Sequence, residues 1–413
     1  MAAGTPLRTD PIDGGQPLVG SAALSRELKQ WLPFWWRPEH VEAQPAVEAA
    51  ARAMAHRMPM PRPTLAELDD TLKSFGDAVG LGGDRILPRS LGQLSPLLKE
   101  RFIDVLATWE ATMRMPPAWA HKVIAIPKPN NGGSRTIGLS AAALRIWSKL
   151  RQPLAAEWEN QEPDEAFWGA TGRPCDRAAW THGIYKAVAH GAATAYASVF
   201  LDLCKFYEMV GHDTFLAEAE ATGFNQHLAA CLTASWGGLR YMEVDGAASA
   251  MFQVHGTILA GCSAATSAAK VLVLRLIRQV RLDMPSLRLW NVVDDFAGVA
   301  VGPPAHVRAA AGLGTKQLVN GLQALGLQLS PGKSKVMASS AGLEQDSLAL
   351  IGQADVTGAS WARNVGADVA GRGGRRTCIA AARAALAASR SRRLGKLRRC
   401  GARTQRVLSA SHN

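Results

Sequence analysis

The stretch LWNVVDDFAGVAVG, Leu289 to Gly302, sets two adjacent acids, Asp294 and Asp295, between apolar runs that read as buried strands. No basic residue in the stretch neutralises them. A buried carboxylate is costly unless it finds a partner, a proton or a metal ion. A third acid, Asp202, closes a similar apolar run in ASVFLDLCKFYEMVGH. If the strand ending at Asp202 lies beside the Asp294 hairpin, two or three carboxylates converge at one sheet edge. A hard divalent cation with oxygen ligands then relieves their repulsion. Two metals sharing carboxylates can clamp the attacking and leaving oxygens of a phosphoryl transfer. The alternative is a hairpin whose turn happens to carry Asp-Asp, since Asp is a common turn residue.

The elements that must position these acids follow from pattern and punctuation. Leu94 to Met113 has helical spacing of its apolar residues. His121 to Ser140 reads as strand, Pro/Asn/Gly turn and strand, and Ala141 to about Asn160 as helix. AYASVFLDL is a β-prone run; Thr214–Ala221, Ala264–Arg281 and Lys316–Leu325 read as helices. Residues 1 to 60, rich in Pro, Ala and Gly with the cluster WLPFWW, read as a loosely packed lead-in with short helices. This irregular order of strands and helices predicts an α+β fold with an antiparallel core sheet.

Composition bounds the answer. The 413 residues are 47% hydrophobic and 19% charged, as expected of a folded chain with no membrane-length apolar run and no signal-like N-terminus. The six cysteines are scattered, without a CxxC pair, which argues against a zinc module and against a secreted disulfide framework. An intracellular, reducing compartment is the expectation, the nucleus being one candidate. From Val369 to Asn413 there are twelve Lys and Arg and no acid, equal to the whole formal excess of +12. Such a segment fits a nucleic-acid backbone, and equally a solvated basic tail.

An Asp followed about ninety residues later by Asp-Asp in a hairpin is the layout of a palm-type polymerase. The chain resembles reverse transcriptases, most closely those of non-LTR (LINE-like) retrotransposons and group II introns, over roughly Gly80 to Gly352. VVDD, Val292 to Asp295, resembles the family's YxDD hairpin. LDLCKFYEMVGH resembles its first catalytic block, in which an acid is followed five residues on by an aromatic and ten on by His. Here these are Asp202, Tyr207 and His212. The resemblance implies a right-hand polymerase with fingers (79–195), an antiparallel-sheet palm (196–340) and a short, helical, basic thumb (341–413), after the lead-in (1–78).

It also implies roles. Asp202, Asp294 and Asp295 would be catalytic, with Asp202, Asp294 and the Leu203 carbonyl holding two Mg²⁺ (Mn²⁺ as an alternative). IPKPNNGGSRTIGLS is similar to the family's IPKxxGxxRPI, so Lys128 and Arg135 would hold the triphosphate of a dNTP. EAFWGATGRPCDRAAW is similar to GFRxGRS, making Arg173 a template or primer contact. GTILAGCSAATSAAK is similar to GxPQGxxLS, and Gly256 and Gly261 would let backbone approach template and nucleotide; tight helix packing is the alternative. In GLQLSPGKSKVM, Lys333, or failing it Lys335, would meet the departing pyrophosphate. Tyr207 beneath the sugar would exclude a 2′-hydroxyl, or would simply pack in the core. The implied partners are an RNA template, a DNA or RNA primer and dNTPs, with no membrane.

Three positions depart from the family pattern: Val292 where Tyr or Phe is usual, Ala260 where Gln is usual, and Thr136 where Pro is usual. No endonuclease, RNase H or Cys/His finger segment is recognisable, and little chain remains for a thumb. The rival readings are an RNA-templated RNA polymerase and a degenerate, non-catalytic nucleic-acid-binding remnant.

Overall fold

A computed structural model describes residues 19–128, 133–169, 173–364 and 367–370, with short pieces at 11–12 and 16–17 and single positions at 381, 385 and 388. In chain order come two short strands, β1 (Pro11–Ile12) and β2 (Gln16–Pro17), and helices α1 (Gly20–Trp35), α2 (Pro38–Ala55), α3 (Leu65–Lys73) and α4 (Pro96–Thr112). The hairpin β3 (His121–Pro127) and β4 (Ser134–Leu139) precedes α5 (Ala142–Leu150), α6 (Gln152–Gln161) and α7 (Cys175–Gly191). Strand β5 (Ala195–Asp202) leads to α8 (Phe206–Met209), α9 (His212–Ala221), α10 (Gln226–Trp236), β6 (Arg240–Val244) and β7 (Ala247–Ala248). Then follow α11 (Ala265–Asp283), the hairpin β8 (Arg288–Val292) and β9 (Asp295–Gly302), α12 (Pro304–Ala309) and α13 (Thr315–Ala324). The series closes with β10 (Ser334–Ala338), α14 (Ala341–Ile351), β11 (Val356–Gly358), β12 (Trp361–Asn364) and β13 (Ala367–Ala370).

This is a mixed α+β protein whose chain passes repeatedly between two compact units. The first takes residues up to Asp164, then Leu203–Arg278 and Asn320–Gln328; the second takes Glu165–Asp202, Gln279–Val319 and the chain from Leu329. Both units are assembled from separate segments of the chain.

The first unit carries a four-stranded sheet in the order β4-β3-β6-β7, with β3 parallel to β6 and the other pairs antiparallel. Helix α1 packs on it through Trp31 and Trp35, buried with Val123, Met242 and Val254. The segment expected to be a loose lead-in is thus a pair of regular helices whose aromatic cluster fills a core. Local chemistry fixes helix ends here. Thr64 and Glu67 form a reciprocal capping box at α3, and Ser95 caps α4 ahead of Pro96. Arg151 and Glu110 form a buried ion pair at 2.6 and 2.7 Å, and Trp147 donates to the same carboxylate.

The second unit is built on a five-stranded sheet in the order β11-β10-β5-β9-β8. Its pairs are antiparallel except β10–β11, so the expected antiparallel sheet is in fact mixed. Tyr196 through Leu201 are all buried, the continuous apolar run of a strand covered on both faces. Even positions meet α7: Ser198 Oγ lies 2.9 Å from His182 Nε2, and Phe200 shares a core with Ala178 and Trp290. Among the described residues, no helix is long and apolar enough to cross a membrane. The basic tail expected as a thumb lies outside the described residues beyond Ala370, isolated positions aside.

Candidate functional site

In the second unit, β5 pairs with β9 in a register that sets Asp202 directly opposite Asp295. Opposed residues of an antiparallel pair project from the same face, so the two carboxylates stand side by side. Asp294 occupies the two-residue turn between Val292 and Asp295, which are themselves paired. The three acids, about ninety residues apart in the chain, meet at one end of the sheet. They are not buried as the flanking apolar runs suggested. Asp294 and Asp295 are exposed, and burial resumes at Phe296. Exposure removes the desolvation cost and leaves mutual repulsion as the feature to explain.

The turn itself is strained. Val293 has φ +59°, a left-handed conformation that a β-branched residue adopts only under constraint. The constraint is visible: the buried Asn291 side chain donates to the Val293 carbonyl at 3.0 Å. Asn291 is held in turn by backbone exchange with 166–168, its N–H bonding Ala166 O at 2.7 Å and its carbonyl accepting from Trp168 N at 2.9 Å. Residues 166–168 therefore run alongside the acid hairpin. Arg173 donates to the Phe167 carbonyl at 3.3 Å and lies over the Trp168 ring at 5.6 Å, contacts that also give it a structural role.

Lys333 reaches the same end of the sheet, its Nζ 3.4 Å from Asp202 Oδ1. Lys335 instead bonds Thr357 at 2.8 Å, so Lys333 is the lysine associated with the acids. Asp202 is fixed from behind: its N–H meets Ser334 Oγ at 3.2 Å and its carbonyl accepts from Ser330 N at 2.7 Å. Among the described residues no group of three or more His, Cys, Asp or Glu is gathered as a metal site. The donor set nonetheless suits magnesium, which keeps most of its waters and takes one or two carboxylates beside substrate phosphates. The Lys333 ammonium at Asp202 shows that this carboxylate attracts a cation.

The remaining candidates lie in the first unit, where two of the sequence blocks are stitched together. Thr257 N donates to Val210 O at 2.7 Å, Ile258 N to Tyr207 O at 2.8 Å, and Gly211 pairs with Gly256. Half-buried Tyr207 meets Phe206 edge-on at 5.5 Å. His212 is a wholly buried brace, its Nε2 2.8 Å from the Thr257 carbonyl, and burial lowers it to about 4. Buried Arg240 donates to Thr257 Oγ1 at 2.9 Å, and burial brings its pKa down to about 10. These contacts hold Thr257 at φ +96°, another strained β-branched residue. Arg240, Glu208 and Thr136 line a cavity with room for about one water.

The two glycines do approach backbone and ring closely, but those of the protein itself. A Cβ at Gly256 would overlap the His40 ring, and one at Gly261 would lie 2.6 Å from the Gly138 carbonyl at φ +107°. Of the three unusual positions, Thr136 has a side-chain role of its own here. Thr136 donates to the buried Glu208 carboxylate at 2.9 Å, a bond proline could not supply; burial raises Glu208. Ala260 contributes its carbonyl, which accepts from Gly138 N at 2.7 Å.

Lys128 closes the β3–β4 turn, its N–H bonding Gly133 O at 2.8 Å. Arg135 is exposed on β4, between buried Ser134 and Thr136, and so projects from the opposite face to both. Ser134 bonds Glu27 and accepts from Trp31 Nε1 at 3.1 Å, which ties the turn to α1. Lys205, passed over in the sequence, stands over the Trp31 ring with its ammonium 3.3 Å from the centroid. Burial lowers it to about 8, with Glu208 opposing and the neighbouring Lys128 charge contributing. Its position inside LDLCKFYEMVGH was the available signal; nothing in the sequence pointed to Trp31 as its seat.

Comparison with protein-family models finds no match, and no curated protein matches the chain.

Proposed function

We propose that the chain is an RNA-directed DNA polymerase, extending a primer 3′-hydroxyl with dNTPs on an RNA template. The observation that carries this reading is the register of β5 on β9, which brings Asp202 opposite Asp295 with Asp294 at the adjoining tip. Strain at Val293 supports it, since a β-branched residue held left-handed beside exposed acids is expected where geometry serves function. On this reading the second unit supplies the catalytic acids of a palm.

Asp202 and Asp294, with Asp295 and the Leu203 carbonyl, would hold Mg²⁺. Bound there, magnesium lowers the barrier by stabilising charge on the attacking and leaving oxygens. The chain's own residues do the positioning. Asn291 fixes the acid-bearing turn, and Ser330 and Ser334 fix Asp202. Lys333 would exchange Asp202 for the departing pyrophosphate. Tyr207, held through Ile258, would stand against the sugar and reject a 2′-hydroxyl, which is both donor and acceptor.

Primer extension on a primed RNA template tests the reading, with Asp294→Asn as the control. Incorporation of dNTPs by the wild type, lost in the variant, is the expected result. Equally little incorporation by both would leave a nucleic-acid-binding remnant as the better reading, and preferential use of rNTPs would favour an RNA polymerase.

A further inference from the structure

Trp36 and Arg37 separate α1 from α2, and Pro38 opens the second helix. This junction lies across the seam at which residues 207–211 and 252–258 are zipped together. On one side, Trp35 stacks on Phe252 with ring centroids 5.6 Å apart, and Trp36 Nε1 donates to the Gln253 carbonyl at 2.9 Å. On the other, Arg37 donates to the Met209 carbonyl at 3.3 Å and reaches its sulfur at 3.8 Å. In the first turn of α2, the buried His40 ring packs on the Gly211–Gly256 bridge itself.

The fit at the bridge is steric. A Cβ on Gly256 would overlap His40 Nδ1 and stand 2.6 Å from Cε1, and one on Gly211 would stand 3.5 Å from Nε2. Gly256 is not among the residues with positive φ, so its backbone would accept any side chain. The His40 ring is what demands glycine there. Among the described residues His40 Nδ1 has no hydrogen-bond partner, so this edge of the ring holds the seam by packing. The next rungs of the seam are Thr257 N to Val210 O at 2.7 Å and Ile258 N to Tyr207 O at 2.8 Å. The junction thus fixes both strands of the seam within two rungs of the Tyr207 backbone.

We infer that the α1–α2 junction is the positioning element for Tyr207, that Arg37 and His40 are its positioning residues, and that Gly256 is glycine to admit His40 and not a template strand. The seating of His40 stands on geometry alone; the consequence for sugar choice rests on the polymerase reading.

Urea denaturation of the full chain tests the seating without any activity, using Gly256→Ala, His40→Ala and the double variant. Gly256→Ala should lower the midpoint of the wild type by about 0.5 M or more, and that of His40→Ala by less than about 0.2 M. An equal loss in both backgrounds, or no loss in the wild type, overturns the seating. Should Gly256→Ala fail to fold, a folded double variant supports it, and an unfolded one beside folded His40→Ala overturns it. Should His40→Ala itself fail to fold, Arg37→Met decides in the second experiment. There, Arg37→Met and His40→Ala should raise rNTP use relative to dNTP use by about threefold or more, as a ratio of kcat/KM in primer extension. Thr64→Ala, which uncaps α3 and weakens the same unit outside the seam, should leave that ratio within about 1.5-fold. An unchanged ratio in Arg37→Met, or an equal change in Thr64→Ala, overturns the positioning role. Should the wild type extend no primer, the polymerase reading falls alone, and hydrogen exchange at the Ile258 amide decides the positioning. Exchange about tenfold faster in Arg37→Met than in Thr64→Ala supports it, and equal rates overturn it.

Discussion

Neutralising Asp295 should stabilise the protein when metal is absent. Directly opposed residues of an antiparallel pair have Cα atoms about 4.5–5.5 Å apart, so the Asp202 and Asp295 carboxylates are held near each other. Asp295 is exposed and the Asp202 side chain retains 39% of its accessible surface, so the medium between them is close to water. Two unit charges about 5 Å apart then repel by roughly 0.8 kcal/mol, within the range of about 0.2–1 kcal/mol for cross-strand pairs. Lys333 offsets this at Asp202. Asp295→Asn, which removes the charge while keeping an oxygen acceptor for the other contacts of the side chain, should therefore raise the free energy of unfolding by up to about 0.5–1 kcal/mol at low salt. Asp202→Asn should gain little, because it discards the Lys333 pair together with the repulsion. Urea denaturation at an unchanged m-value reads the difference. The gain should vanish in 1 M NaCl, where the screening length is about 3 Å. Magnesium at ten times its dissociation constant adds about 1.4 kcal/mol to the wild type, which should then overtake the variant. Destabilisation by Asp295→Asn, or a gain indifferent to salt, would refute the claim that these acids repel across the strands.

The other predictions concern the frame around the acids and the choice of sugar. Arg151→Met leaves Glu110 charged in the interior and should cost about 3–5 kcal/mol in urea unfolding. Burial brings His121, His182 and His212 to about 4, below the usual value near 6.5. Below pH 6.5 the unfolded chain takes up protons that the folded one refuses, so stability should fall from pH 6.5 toward pH 4 and then level off for these groups. The full loss is on the order of 3 kcal/mol for each histidine, and urea midpoints at pH 7 and pH 4.5 would reveal it. Tyr207→Ala should raise rNTP use relative to dNTP use by about tenfold, measured as a ratio of kcat/KM; an unchanged ratio would assign Tyr207 to the core.

Much of this was legible where apolar spacing and a single acid coincide. β5 ends at Asp202 because a run of apolar residues buried on both faces stops there, and the hairpin before Asp295 follows from the same contrast. Helices α4, α9 and α11 fell where their apolar spacing indicated. Other elements were hidden for physical reasons. α7 buries the small residues Ala178 and Ala189 while exposing Trp180, Ile184 and Val188, which inverts the usual signal. α10 is buried nearly all round and so lacks a polar face. The parallel pairs β3–β6 and β10–β11 join strands too far apart in the chain for local pattern to report. The same distinction runs through the site. The acids announce themselves because a charge ending an apolar strand is locally anomalous. Lys205 does not, because its anomaly is relational: its ammonium is conspicuous only once α1 has brought Trp31 beneath it. Arg240 and His212 are of the same kind, ordinary in sequence and consequential only because both close on the strained Thr257. A sequence read alone thus finds residues whose chemistry conflicts with their immediate neighbours, and overlooks those whose conflict is created by folding.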